Sequence, residues 1–229
     1  MAKNREHLIL EFNGLPGSGK TTVSEKFKEL YGEELDIDRN FNCYDSGKSG
    51  LKCYLSFIVK GDLIQLFNLV RYSLSLKRPG LFMHILRSVY IFSISYRRFV
   101  EQKKEKCMLS DQGIVQAVIS MCYPKEFKGG KLPEKILKRM FSKYNIVVVN
   151  CISDKEISTE RILSRKKQTK GRLDMLDEAQ LRKALEVQEN SFECVRGILN
   201  RINVKQIDID MKCTSEENAE KIYRELKGE

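Results

Sequence analysis

The sequence predicts a three-layer α/β fold, a five-stranded parallel sheet with helices on both faces, and three observations lead there. Short apolar or β-branched runs recur five times, at 7–13, 34–38, 106–110, 145–151 and 204–209, each followed by a segment able to be helical. With 229 residues, 41% hydrophobic and 31% charged, the chain has the length and composition of one generous globular domain, 1–229. A Gly/Pro-rich turn separates the first run from a segment with Val23, Phe27 and Leu30 at helical spacing, which is the order strand, loop, helix.

That first loop carries the clearest chemistry. Gly14-Leu15-Pro16-Gly17-Ser18-Gly19-Lys20-Thr21 fits G-x-x-x-x-G-K-[ST] at every fixed position, and Thr22 follows. Glycine reaches backbone conformations closed to other residues and brings amides against phosphate oxygens, while the next helix aims its positive dipole end at the same anion. The expected ligands are ATP and Mg²⁺: Lys20 reaching the β- and γ-phosphates, the Thr21 hydroxyl on the metal, and 14–22 forming the cradle.

At the second predicted strand, Asp36 and Asp38 are two apart, so they share a face if the strand persists, where one could bind acceptor hydroxyls. A solvated strand-to-loop turn explains Asp36-Ile37-Asp38-Arg39-Asn40 equally well. Residues 51–104 lack strand signals and hold two apolar-rich helical patterns separated by Pro79 and Gly80, a helical insertion beside the sheet. Such stripes serve packing, or here an acceptor pocket. Within it, 81–100 most resembles a membrane span, but Arg87, Arg97 and Arg98 interrupt it and the uncharged run 88–96 is too short to cross.

The third strand ends at Asp111, and open parallel sheets bind ligands at the carboxyl ends of their strands. A carboxylate there could hold Mg²⁺ through water, accept a proton from the attacking group, or cap the helix that follows. Further on, Arg161 and Arg165 share a helix face, and Lys166, Lys167, Lys170 and Arg172 follow around Gly171. We expect 161–175 to act as a lid, its arginines closing over a transferring phosphoryl group; a solvated basic helix end is the plainer alternative.

The seven cysteines form no CxxC pair and read as reduced thiols, and Met1 is followed by the polar, charged run 2–7 rather than a secretory leader, so a cytoplasmic location is expected. The net charge of +10 suits nucleic acid, an anionic surface or a phosphorylated small ligand alike.

These motifs resemble the nucleoside monophosphate kinase group of P-loop kinases, which includes adenylate and thymidylate kinases. The resemblance is carried by 14–22, by Ser110-Asp111-Gln112-Gly113, and by Glu160-Arg161-Ile162-Leu163-Ser164-Arg165 leading to Gly171-Arg172-Leu173-Asp174. It implies the three-layer P-loop fold, an ATP-bound loop, a helical acceptor region, and phosphate contacts from Lys20, Arg161, Arg165 and Arg172. Thymidylate kinases usually carry Asp-Arg where this chain has Asp111-Gln112, whereas Asp36-Ile37-Asp38 is similar to the Asp-x-Asp of shikimate-type kinases, which bind a hydroxylated acceptor.

The leading expectation is therefore a transferase moving the γ-phosphoryl group of ATP to a nucleoside monophosphate or a hydroxylated metabolite, with Lys20, Asp111, Arg161 and Arg165 catalytic, Thr21 and Asp111 on the metal, and either Asp111 or Asp38 as the catalytic carboxylate. A regulatory ATPase is the second class, weakened by the arginines and by the absence of an N-K-x-D signature. A polynucleotide 5′-end kinase is the third, suggested by the charge and by Tyr96-Arg97-Arg98-Phe99, though no nucleic-acid module is recognisable. The expected partner is a small-molecule acceptor rather than nucleic acid; a homodimer stays open.

Overall fold

The structure, a computed structural model, describes residues 4–37, 40–41, 63–76, 89, 107–111, 113–123, 125–165 and 173–228. Strand β1 (Asn4–Gly14) leads through the glycine-rich loop into α1 (Lys20–Tyr31). Then come the two-residue β2 (Asn40–Phe41), α2 (Leu63–Ser75), β3 (Cys107–Ser110), α3 (Ile114–Cys122), α4 (Lys131–Lys143), β4 (Tyr144–Ile152), α5 (Lys155–Arg165), α6 (Glu178–Arg201), β5 (Gln206–Asp210) and α7 (Ser215–Lys227).

All pairings are parallel, in the order β2-β3-β1-β4-β5. The sheet counts five strands, but its edge strand is the two-residue β2 rather than the strand expected at 34–38. Residues 34–37 form no strand: after α1 the chain turns through 32–36, Asp36 stands at φ 53° and Ile37 N donates to Gly32 O at 2.8 Å. Asp36 is one of the short polar residues that tolerate this left-handed conformation, so local turn chemistry overrides the apolar run. What pairs with β3 at that edge is β2, through Asn40 opposite Leu109 and Phe41 opposite Ser110.

Successive side chains of a strand point to opposite faces, and this alternation builds two cores. Ile9, Met108, Ile146 and Val148 meet α3, α4 and α6 on one face. Leu10, Phe12, Leu109, Val147, Val149, Ile207 and Ile209 meet α1 and α7 on the other, where Phe27 and Ile222 close the layer. Residues 146–151 of β4 are buried without a break, as a strand covered on both faces requires. A small third cluster of Ile162, Leu181 and Leu185 joins α5 to α6.

The insertion 51–104 is described only in α2 and at Val89; its second helical pattern and the candidate span 81–100 otherwise lie outside the described residues, as do Asp38 and 166–172. Among the described residues no helix is long and apolar enough to cross a membrane.

Candidate active site at the carboxyl ends of β1 and β3

The glycine-rich loop has the conformations its composition demands. Gly17 and Gly19 stand at φ 78° and 100°, a region costly for side-chain-bearing residues, and Ser18 N donates to Leu15 O at 3.1 Å to close the turn. Gly17 is also a contact point with α5: a Cβ there would stand 2.9 Å from Ser158 O and 3.0 Å from Ile162 Cγ1. The backbone N–H groups opening α1 have no capping side chain, since Gly19 occupies that position.

Lys20 begins α1 and curls back over the loop, its ammonium donating to Gly14 O at 2.9 Å and Leu15 O at 2.7 Å, with Ser18 Oγ at 3.5 Å. Burial pushes its pKa below the ordinary lysine value, Cys151 and Asp111 act against that, and Arg165 adds to the lowering. A phosphate anion would restore the charged form. Thr21 and Thr22 are exposed on the first turn of α1. Uncapped helix amides, two left-handed glycines and a lysine at the mouth fit a nucleoside triphosphate; Thr21 and Asp111 would hold its Mg²⁺, as hard oxygen donors that suit this ion.

Asp111 lies just beyond β3, 7% exposed, and accepts from Ser24 Oγ at 2.8 Å. Ser24 sits one helical turn past Lys20, so α1 itself carries the hydroxyl that orients this carboxylate. The alternative of Asp111 as the cap of α3 is not what the chain does. Gly113 takes the cap position without a side-chain bond, and the capping role passes to Glu11, whose carboxylate accepts from Ile114 N at 3.0 Å and Val115 N at 2.7 Å.

Glu11 escaped sequence reasoning because it sits inside an apolar run. It is fully buried on β1, and burial raises its pKa to about 7 against the opposing amides of Val115, Ile114, Gln116 and Gly113. The available signal was a charged residue three positions before the loop, within a strand that must be covered on both faces.

Arg161 reaches the loop from α5, donating to Ser18 O at 2.9 Å and Gly17 O at 3.4 Å. Arg165 is instead tied to Asp174, Nε to Oδ1 at 3.3 Å, although Lys20 still feels its charge. Met211, after β5, comes within 3.0 Å of a Cβ placed on Gly19. On the face under α6, Asn13 and Asn150 line a recess of about 70 Å³. Their buried Oδ1 atoms accept no hydrogen bond among the described residues, and the space suits ordered water.

The structure thus gathers Gly14, Pro16, Gly17, Ser18, Gly19, Lys20, Thr21, Thr22, Asp111 and Arg161 at one edge of the sheet, with Arg165 nearby. It does not bring Asp36 there. That residue is exposed beyond the far end of α1, whose 12 residues span about 18 Å from the loop. Asp38, Arg172 and the centre of the expected lid lie outside the described residues.

The fold has counterparts among solved kinase structures. Among solved structures, the chain is similar to deoxyadenosine kinase from M. mycoides with bound dATP, at 12% identity and TM-score 0.55, covering 96% of this chain and 99% of that one. A second structure of that enzyme, with the products dCMP and a flexible dCDP, matches at 11% identity and TM-score 0.52, covering 96% and 100%. At such identities the likeness is one of fold. These neighbours are deoxyadenosine kinases, and they do not confirm the nucleoside monophosphate kinase group that the motifs resemble. No protein-family model and no curated protein matches the chain.

Proposed function

We propose that the chain is a phosphotransferase that moves the γ-phosphoryl group of ATP to the hydroxyl or phosphate of a small acceptor, and that nucleosides head the acceptor classes, ahead of nucleoside monophosphates and other hydroxylated metabolites. The observation that carries this is Asp111, buried at the end of β3 and oriented by Ser24 from the helix that begins with Lys20. A carboxylate there serves Mg²⁺ in a regulatory ATPase as well, so it is transfer to an acceptor that separates the two readings. The nucleoside kinase neighbours support the choice of acceptor, at the level of fold.

In this reading the loop amides and Lys20 would hold the β- and γ-phosphates, and Thr21 and Asp111 would hold Mg²⁺, which would supply neutralising charge. Asp111 would also take the proton of an acceptor hydroxyl, through water or directly. Arg161 fixes the backbone of the loop from α5. Arg165 would exchange Asp174 for the charge that builds on the transferring group, so that it acts in the transition state more than on bound ATP.

The test is an ATP-consumption screen over deoxynucleosides, nucleosides, their monophosphates, sugars and other hydroxylated metabolites, with Lys20→Ala as the control. Turnover with one acceptor class, lost in Lys20→Ala, supports the proposal. Mg²⁺-ATP binding without transfer to any acceptor would return the chain to the regulatory ATPase reading.

A further inference from the structure

We infer that Glu11 is a positioning residue for this transfer: from β1 it clamps the first turn of α3 and thereby sets where Asp111 stands relative to Lys20. The inference rests on the role given to Asp111 above.

The geometry is a fork between distant parts of the chain. Each carboxylate oxygen of Glu11 takes one amide of α3, Oε2 from Ile114 and Oε1 from Val115, across 103 and 104 residues of sequence. Helices ordinarily take such a cap from the residue at their own N-terminus, and here that residue is Gly113. Gly113 has no room for more, because a Cβ on it would stand 2.4 Å from Glu11 Cδ. Asp111 is two residues before Gly113, and its second tether is Ser24 on α1. Both tethers lead back to the loop, one through the strand that enters it and one through the helix that leaves it. The carboxylate that would carry the chemistry is therefore referenced to the phosphate-binding loop from both sides.

A purely structural explanation is weak, because burying a carboxylate is costly and a neutral group would serve the fold better. What the carboxylate offers is two equivalent acceptors, a fork that a glutamine, with one oxygen and one NH₂, cannot reproduce. Burial also places Glu11 where its proton is exchanged near neutrality, at about 7. The groups facing it are Ser110 opposite on β3 with Asp111 beyond, Val148 opposite on β4, and the uncharged 113–116 of α3. A proton on either oxygen opposes one of the two N–H bonds and loosens the clamp. Acid therefore favours the folded chain through Glu11 while it impairs transfer, and a residue serving stability alone would not separate the two.

The experiment compares wild type, Glu11→Gln, Gly113→Ala and Asp111→Asn for kcat against pH, for Mg²⁺-ATP affinity and for unfolding, using the acceptor found by the screen. Glu11→Gln is expected to stay folded and keep its ATP affinity within about threefold. Its kcat should fall by about tenfold or more, and the acid limb expected of wild-type kcat between about pH 6 and 8 should be absent. Gly113→Ala pushes on the same fork and should also lower kcat more than ATP affinity; it decides the matter if Glu11→Gln does not fold. Wild-type kcat and an unchanged pH profile in Glu11→Gln, or ATP affinity falling in step with kcat in these variants, overturns the inference while leaving phosphotransfer standing. Wild-type turnover in Asp111→Asn removes what Glu11 would position and sinks the role of Asp111 with it.

Discussion

Ser24 shows how much of the site hangs on single atoms. Its hydroxyl donates to Asp111 Oδ1 and is in turn close to Thr21 O at 3.0 Å, so the side chain is held at both ends. Ser24→Ala leaves a buried carboxylate oxygen short of a donor, which costs about 1–3 kcal/mol of stability. It should also lower kcat by about tenfold, since Asp111 loses its orientation; urea unfolding and steady-state rates measure the two. Glu11 makes a separate prediction about stability. Its folded pKa of about 7 lies above the ordinary carboxylate value of 4.5, so between these the native state binds the extra proton. Its contribution to stability is then fully present below about pH 4.5 and lost as pH rises through about 7, an effect on the order of 3 kcal/mol. Denaturant unfolding at several pH values should show the difference between Glu11→Gln and wild type shifting in favour of the variant across that window.

At the scale of elements, α5 is the piece that makes the loop rigid. It packs Ser158 and Ile162 against Gly17 and sends Arg161 to the carbonyls of Gly17 and Ser18. Gly17→Ala would meet a positive φ and the Ser158 carbonyl together, so it should destabilise the chain by about 1–3 kcal/mol and weaken Mg²⁺-ATP binding in the same variant. Arg165 behaves differently. Because Asp174 holds it outside the loop, Arg165→Ala should reduce kcat more than it changes ATP affinity; equal losses in both would make it a ground-state phosphate contact. Farther from the chemistry, α6 begins with a reciprocal capping box in which Asp177 accepts from Gln180 N at 2.8 Å. Asp177→Ala should cost about 1 kcal/mol with little effect on rate, a useful control for substitutions that act through stability alone.

For the whole molecule, the proposed nucleotide site would join parts that lie on both sides of the sheet: α1 from one layer, α3 behind Asp111 from the other, and α5 beside the loop. A ligand bound only by the folded chain raises stability by mass action, about 2.7 kcal/mol at a hundredfold excess over Kd. For a chain of this size that corresponds to a Tm rise of roughly 5–10 °C with saturating Mg²⁺-ATP, and Lys20→Ala should abolish most of it. An unchanged Tm in folded wild-type protein would count against triphosphate binding at this loop.

The sequence by itself determined the loop, its strand and its helix, because the glycine spacing is a local requirement for positive φ and for amides facing an anion. It likewise determined β3, β4 and β5 to within a residue or two, since their apolar runs must be buried whatever their neighbours. It misjudged 34–38, where a turn following α1 uses the same kind of apolar residue, Ile37, to plug the core rather than to extend a strand. Only the tertiary structure decided which carboxylates matter and how they are held. Asp36 and Asp111 look alike as acids at the end of short apolar runs, yet one is exposed at the far end of α1 and the other is buried against Ser24. Glu11 was hidden in its strand because its partners are backbone amides more than a hundred residues away, and no sequence pattern marks an amide. Hydrogen bonds between distant elements depend on register and packing, which local composition does not encode.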